Sequence, residues 1–151
     1  MSVARGNADS DTWLSAITLD LLAPMLLTQR LWPILSAVSG AVVNIVSSGG
    51  LGDGSYGSPE YGAAKAGIHR FTASLGARTD VRVMSVVPGW IGLDRARHEW
   101  AALVPGQQRE IGSLVPPEDI ANVIATLLEQ GRPGEVVAML HEGEQSSTVV
   151  R

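Results

Sequence analysis

The sequence predicts an α/β fold of three parallel strands with flanking helices, in the order α-β-α-β-α-β. Three observations predict it. Short runs rich in β-branched residues, AVVNIVS, VRVMSVV and EVVAML, recur along the chain and read as buried strands. Longer helical patterns separate them, and such alternation implies parallel strands joined by right-handed crossovers. The first two runs stop at turn signals, a Gly/Ser loop and Pro88-Gly89. At 151 residues the chain is one domain, with a polar tail over 1–12, the ordered part over 13–140 and a second polar tail over 141–151.

Taken in order, SDTWLSAITLDLLAPMLLTQRLWPIL reads as a long helix that Ser10 or Asp11 can cap. Its apolar residues go nearly all the way round, so it should be covered on more than one side. Pro24 should kink or split it. Ser39-Gly40 breaks the pattern before the strand Ala41 to Ser47. After the Gly/Ser loop a helix spans Pro59 to Arg78, with the proline near its start. The second strand covers Val81 to Val87. Trp90 to Val115 is mixed, with a short helix near Asp94–Leu103. PPEDIANVIATLLEQG is a helix with prolines and acids at its N-terminal end and Gly131 after its last turn. EVVAML is the third strand.

Composition excludes several classes of function. The net charge is −4 without a Lys/Arg cluster, which argues against a nucleic-acid surface. There is no cysteine, hence no disulfide and no thiolate metal site. HEW at His98 lacks the second histidine of H-E-x-x-H, so no metal site is expected. The first residues hold no apolar signal core, and Asp20, Gln29 and Arg30 interrupt the richest apolar stretch. The expectation is a cytoplasmic protein with no membrane partner and no nucleic-acid partner.

The informative stretch is NIVSSGGLGDGSYGSPEYGAAKAG. A phosphate cradle needs glycines at fixed offsets before a helix. From Gly50, G-x-G-x-x-G demands a glycine where Ser55 stands, and G-x-x-x-G-x-G fails at Asp53 or Tyr56. The loop therefore reads as a turn. Tyr61 and Lys65 form Y-x-x-x-K, and residues four apart share a helix face. An ammonium beside a phenol favours the phenolate, which suits tyrosine to proton transfer near neutral pH. Ser48 lies thirteen residues before Tyr61, at the end of a buried strand, where the sites of parallel sheets collect.

With NIVSS, YGAAK and VRVMSVVPG in that order, the chain resembles the C-terminal half of a short-chain dehydrogenase/reductase, a partial Rossmann-like fold. PPEDIANVIATLL and GEVVAML resemble that family's last helix and strand, and WLSAITLDLLAPMLLTQ its interface helix. The resemblance implies that Ser48 orients a substrate oxygen, Tyr61 is the acid or base and Lys65 its electrostatic partner. It also implies a homodimer through helices 13–38 and 59–78, where Ala63, Ala64, Gly67 and Ala73 allow close approach.

The departures shape the functional expectation. The family's nucleotide-holding first half has no counterpart, its catalytic asparagine falls at Asp20, and a threonine that touches nicotinamide falls at Leu93. The expectation is therefore a cofactor-independent enzyme with no cofactor-binding residue. Ser48 and Tyr61 would grip a carbonyl oxygen of a small-molecule substrate, and Asp20 would be a base paired to Lys65. Such a site suits an isomerase, a dehydratase/lyase or a cyclase; halohydrin dehalogenases are non-redox members of the family. Two alternatives stand beside it. One is an oxidoreductase that uses NAD or NADP only when a partner supplies the missing half. The other is a non-catalytic dimer that binds a ligand. Trp90, Ile91, Leu93 and His98 are weaker substrate-binding candidates.

Overall fold

The computed structural model describes residues 10–52 and 57–140. The expected caps at Ser10 or Asp11 rest on side chains outside the described set, and the second tail and Tyr56 lie outside it as well. The long first helix is three pieces in one line: α1 (Ser10–Ile17), a π turn (Thr18–Leu22) and α2 (Ala23–Ala37). Pro24 explains the π turn. Proline has no N–H, and its ring presses on the carbonyl four residues back, here that of Asp20. The helix widens there, and the Ala23 N–H donates to the Thr18 carbonyl, five residues back. The interruption thus precedes the proline that causes it, and α2 runs on through Pro33.

Strand β1 (Ala41–Ile45) leads through a single 3-10 turn (Ser48–Gly50) towards α3 (Pro59–Leu75). Then come β2 (Arg82–Pro88), α4 (Asp94–Ala101), α5 (Pro105–Ile111), α6 (Pro117–Gln130) and β3 (Val136–Met139). The strands are all parallel in the order β1-β2-β3, with Ala41 opposite Arg82 and Ser85 opposite Val136. β2 is central and buried on both faces, so apolar residues fill it on both sides, with the buried Ser85 among them.

The core divides at the sheet. Met84 and Val86 pack with Ile120 and Leu127 of α6 on one face. On the other, Val46 and Val87 pack with Ile68 of α3, against Leu21 and Met25. Here the buried Asn44 amide donates to Thr72 Oγ1 at 3.0 Å, and Thr72 donates to the Ile68 carbonyl at 3.0 Å. That chain satisfies a polar side chain that the core could not otherwise bury cheaply. Helix α5 is not expected from the sequence. Trp100 Nε1 fixes it by donating to the Gly112 carbonyl at 3.0 Å, and Gln108 donates back to the Trp100 carbonyl at 3.0 Å.

Coverage of the first helix falls short of the expectation. Leu14, Leu19, Leu22, Leu27, Leu31 and Ile34 remain exposed in the single chain. Two of the small residues expected at an interface are spent inside it: Ala64 is fully buried, and a Cβ on Gly67 would lie 2.9 Å from Leu21 Cδ2. Ala63 and Ala73 do face outwards. Among the described residues no helix is long and apolar enough to cross a membrane, and no metal-binding cluster occurs.

Candidate active site

The site forms where α1, the π turn and α3 meet the C-terminal end of β1. Tyr61 stands half-buried on the first turn of α3, and Lys65 follows one turn later. The Lys65 ammonium is held from two sides. Asp20 Oδ1 lies at 3.0 Å, and the Ile45 carbonyl accepts from Nζ at 3.2 Å. The nitrogen also lies 5.6 Å from the centre of the Tyr61 ring, within the range of a cation–π attraction. The Lys65 side chain is 13% exposed and that of Asp20 33%, so the pair is only partly screened by water.

The π turn brings Asp20 into play. A five-residue turn rotates each side chain relative to a regular helix, and such turns recur at functional sites. The carboxylate comes into reach of an ammonium on a different helix, as expected from the sequence. What the sequence did not flag is the Ile45 carbonyl. Its signal was the strand register: residues of β1 alternate the side to which their backbone points, and Ile45 points away from β2.

The glycine loop proves to be a packing device. Ser47 caps the short turn by accepting from the Gly49 N–H at 3.2 Å. A Cβ on Gly50 would sit 2.7 Å from the Ala66 nitrogen and 2.8 Å from Lys65 Cβ. Glycine is therefore required so that the turn bearing Ser48 can lie directly on α3 at Lys65. The structure thus brings Asp20, Lys65 and Tyr61 together, with the half-buried Ser48 on the turn pressed against the same helix.

The weaker candidates fall elsewhere. Ile91 pairs with Val115 in a parallel bridge and packs on the α6 side of the core, which is the work of a core residue. Trp90 is half-buried beside it. Leu93 is exposed at the start of α4 and offers no polar side-chain atom. His98 is exposed, its Nδ1 2.7 Å from the Asp94 carbonyl on its own helix.

Comparison with known proteins shows the family. The short chain dehydrogenase family model matches residues 2–103. Protein FixR of Bradyrhizobium diazoefficiens is 32% identical over 120 residues, 76% of this chain and 42% of FixR. The 3-oxoacyl-[acyl-carrier-protein] reductase FabG of Chlamydia trachomatis is 36% identical over 109 residues, 66% of this chain and 42% of FabG. The acetoacetyl-CoA reductase of an Acinetobacter is 32% identical over 126 residues, 80% of this chain and 50% of that reductase. Among solved structures, the F189W actinorhodin polyketide ketoreductase with NADPH superposes with a TM-score of 0.73 at 25% identity, over 91% of this chain and 61% of the other. The 4-hydroxyisoleucine dehydrogenase with NADH and succinate gives 0.70 at 21%, over 90% of this chain and 60% of the other. This chain spans about half the length of the curated relatives it matches.

These findings correct one expectation. A cofactor-independent site does not stand beside relatives that are reductases and structural neighbours that hold NADPH or NADH. The glycine spacing was a poor guide to the cofactor, because this chain spans only about half the length of those relatives.

Proposed function

We propose a function from one premise: this chain belongs to the short-chain dehydrogenase family. It is the proton-handling part of an NAD(P)-dependent oxidoreductase that interconverts a carbonyl and an alcohol. The names of its relatives favour a 3-oxoacyl thioester as substrate. The observation that carries this reading is the Lys65 ammonium held between Asp20 and the Ile45 carbonyl, one helical turn from Tyr61.

The residues fit one end of the dinucleotide. An ammonium has three N–H donors, and the described residues take two of them, through Ile45 and Asp20. The third donor, together with the second Asp20 oxygen, suits the hydroxyls of a ribose, so Lys65 and Asp20 would hold the nicotinamide ribose. Leu93 gives a carboxamide nothing to bond to. When bound, the nicotinamide supplies or takes up the hydride.

This chain's own side chains do the rest. Ser48 donates a hydrogen bond to the substrate carbonyl oxygen and fixes its place. Tyr61 donates its phenolic proton to that oxygen as negative charge develops there. The fixed positive charge of Lys65 steadies the phenolate left behind. In the reverse direction Tyr61 takes the proton from the alcohol.

The same reading includes a homodimer through α1, α2 and α3. In its support, a groove of about 520 Å³ lies between α2 and α3, lined by Met25, Trp32, Phe71 and Leu75. The exposed Leu22 and Leu26 line it as well. Sedimentation of the pure chain should give twice the monomer mass.

The test of the catalytic reading is NADPH oxidation in the presence of acetoacetyl-CoA, followed at 340 nm, by wild type and Tyr61→Phe. Positioned proton transfer contributes on the order of 10²–10⁴-fold, so the variant should lose at least about 100-fold. A measurable wild-type rate that Tyr61→Phe keeps would refute it.

A further inference from the structure

The Tyr61 phenol stands among charges of both signs. Lys65 Nζ lies 5.6 Å from the centre of its ring, and Asp20 Oδ1 lies 3.0 Å from that nitrogen. No atom of the phenol can then be more than 3.0 Å further from the carboxylate oxygen than from the ammonium. Coulomb energies fall only as the inverse of distance, so the carboxylate cancels a large part of what the ammonium does to the phenol. Water screens the two charges only in part, since the Lys65 side chain is 13% exposed and that of Asp20 33%.

A second carboxylate stands on α3 itself. Glu60 directly precedes Tyr61. Ser58 Oγ donates to its Oε1 at 2.5 Å, and its Oε2 is buried without a hydrogen-bond partner among the described residues. Successive helix residues point different ways, so Glu60 acts on the phenol less directly than Asp20. The other charged and titratable groups of the packed elements stand apart. The 3-10 turn and β1 carry none, nor does α1 from residue 12 onwards. Arg82 of β2 turns to the carbonyls of Leu127, Leu128 and Gly131. Arg30 of α2 and Arg70 of α3 are exposed, and His69 follows Tyr61 by two helical turns.

We infer that Asp20 is a positioning residue that makes this site a proton donor: its charge, set against Lys65, keeps the proton on Tyr61 to higher pH than the ammonium alone would allow. The consequence for catalysis rests on the oxidoreductase reading; the effect on the phenol needs no cofactor. In that reading each reduced carbonyl takes a hydride at carbon and one proton from Tyr61 at oxygen, and the reverse reaction returns both and needs the phenolate. Reduction therefore keeps its proton source as the medium turns alkaline, and alcohol oxidation is confined to higher pH.

The test reads the phenol directly. The chain has two tyrosines, Tyr56 and Tyr61, so in Tyr56→Phe the near-ultraviolet absorbance of phenolate belongs to Tyr61. At an alkaline pH where that phenol is partly ionised, Asp20→Asn in the same background should raise the ratio of phenolate to phenol about tenfold. Asp20→Ser, which also removes the charge, should match it, and Asp20→Glu should stay near the parent. Glu60→Gln should raise the ratio less, and Lys65→Met should lower it. The opposite signs are decisive, because a site that merely loosens carries both variants the same way, towards free tyrosine. A ratio that Asp20→Asn leaves unchanged or lowers overturns the inference, and so does a change of the same sign in Lys65→Met. Glu118→Gln removes an exposed charge at the start of α6 and should change nothing; an equal rise there assigns the effect to net charge and overturns it too. A rate of acetoacetyl-CoA reduction that survives Tyr61→Phe, beside the expected rise in the ratio, sinks the oxidoreductase reading alone. A rate that Tyr61→Phe loses, beside an unmoved ratio, sinks the role of Asp20 alone.

Discussion

Two cation–carboxylate pairs flank α3, and they differ in what they join. Lys65, on the inner face of the helix, reaches Asp20 on a separate helix and is largely buried. Arg78, just past the C-terminal end, grips Asp80 two residues on, with both N–H···O distances 2.9 Å and its own side chain 55% exposed. The second pair has the better local geometry. Asp80 also accepts from Trp32 Nε1 at 2.9 Å, and the guanidinium lies 5.1 Å from the Trp32 ring. Its role is to tie the end of α2 to the start of β2. The Lys65 pair has the poorer hydrogen bonding and the richer surroundings, a phenol, a strand-end carbonyl and a pocket. Good geometry in water makes a fastener; a partly desolvated charge beside a hydroxyl makes a site.

The largest test of that contrast is Lys65→Met against Arg78→Met. Removing one preorganised charge from a reacting centre costs about 10²–10³-fold in turnover. Lys65→Met should therefore lose at least about 100-fold in acetoacetyl-CoA reduction, while Arg78→Met keeps wild-type turnover and lowers only the Tm. Equal losses in both would erase the distinction.

Next comes Gly50→Ala. Its methyl would meet the α3 backbone at 2.7 Å, and backbone cannot step aside as a side-chain end can. The turn must lift, at a cost of about 1–3 kcal/mol read by thermal unfolding. Ser48 moves with the turn, so turnover should fall as well. Unchanged stability would mean that the turn does not lie on α3 as described.

A smaller effect is expected at Asp20. Asp20→Asn keeps an oxygen acceptor for Lys65 and drops the charge, so turnover should stay within about tenfold of wild type. Asp20→Leu removes the acceptor and should fall further. A loss from the asparagine variant as large as from the leucine variant would show that the carboxylate charge itself is required.

The smallest concerns pH. Hydrogen bonding from Arg78, with help from Trp32, holds the Asp80 carboxyl well below its usual range. A folded-state value below the unfolded one contributes stability above the unfolded value and loses it as pH falls through the folded one. Asp80→Asn should therefore lower the Tm modestly at neutral pH. The gap to wild type should narrow only below about pH 3.8, the ordinary carboxylate value. A gap independent of pH down to the acid limit would mean that the ionised Asp80 contributes nothing.

Where the sequence reading rests on local physics, it agrees with the fold. β-branched runs gave the three strands, and Pro59 marks the first turn of α3. The Asp20–Lys65 pair was within reach of the resemblance, although Asp20 lies in the π turn, where the regular helical repeat is broken. Helix α5 was missed because PGQQREI has no apolar periodicity of its own; Trp100 and Gln108 hold it from outside. The cofactor was misjudged because this chain spans only about half the length of the reductases it resembles.

By itself the sequence determined the three strands, most of the helices and, through their alternation, a parallel sheet, because apolar runs, helical periodicity and turn residues are all read along the chain. Only the tertiary structure decided that Pro24 spends its missing N–H as a π turn under Asp20, that the Ile45 carbonyl anchors Lys65, and that one edge of β1 stands open beside a pocket. Those three depend on which backbone groups remain unpaired once distant segments have packed, and a residue's own identity does not encode that.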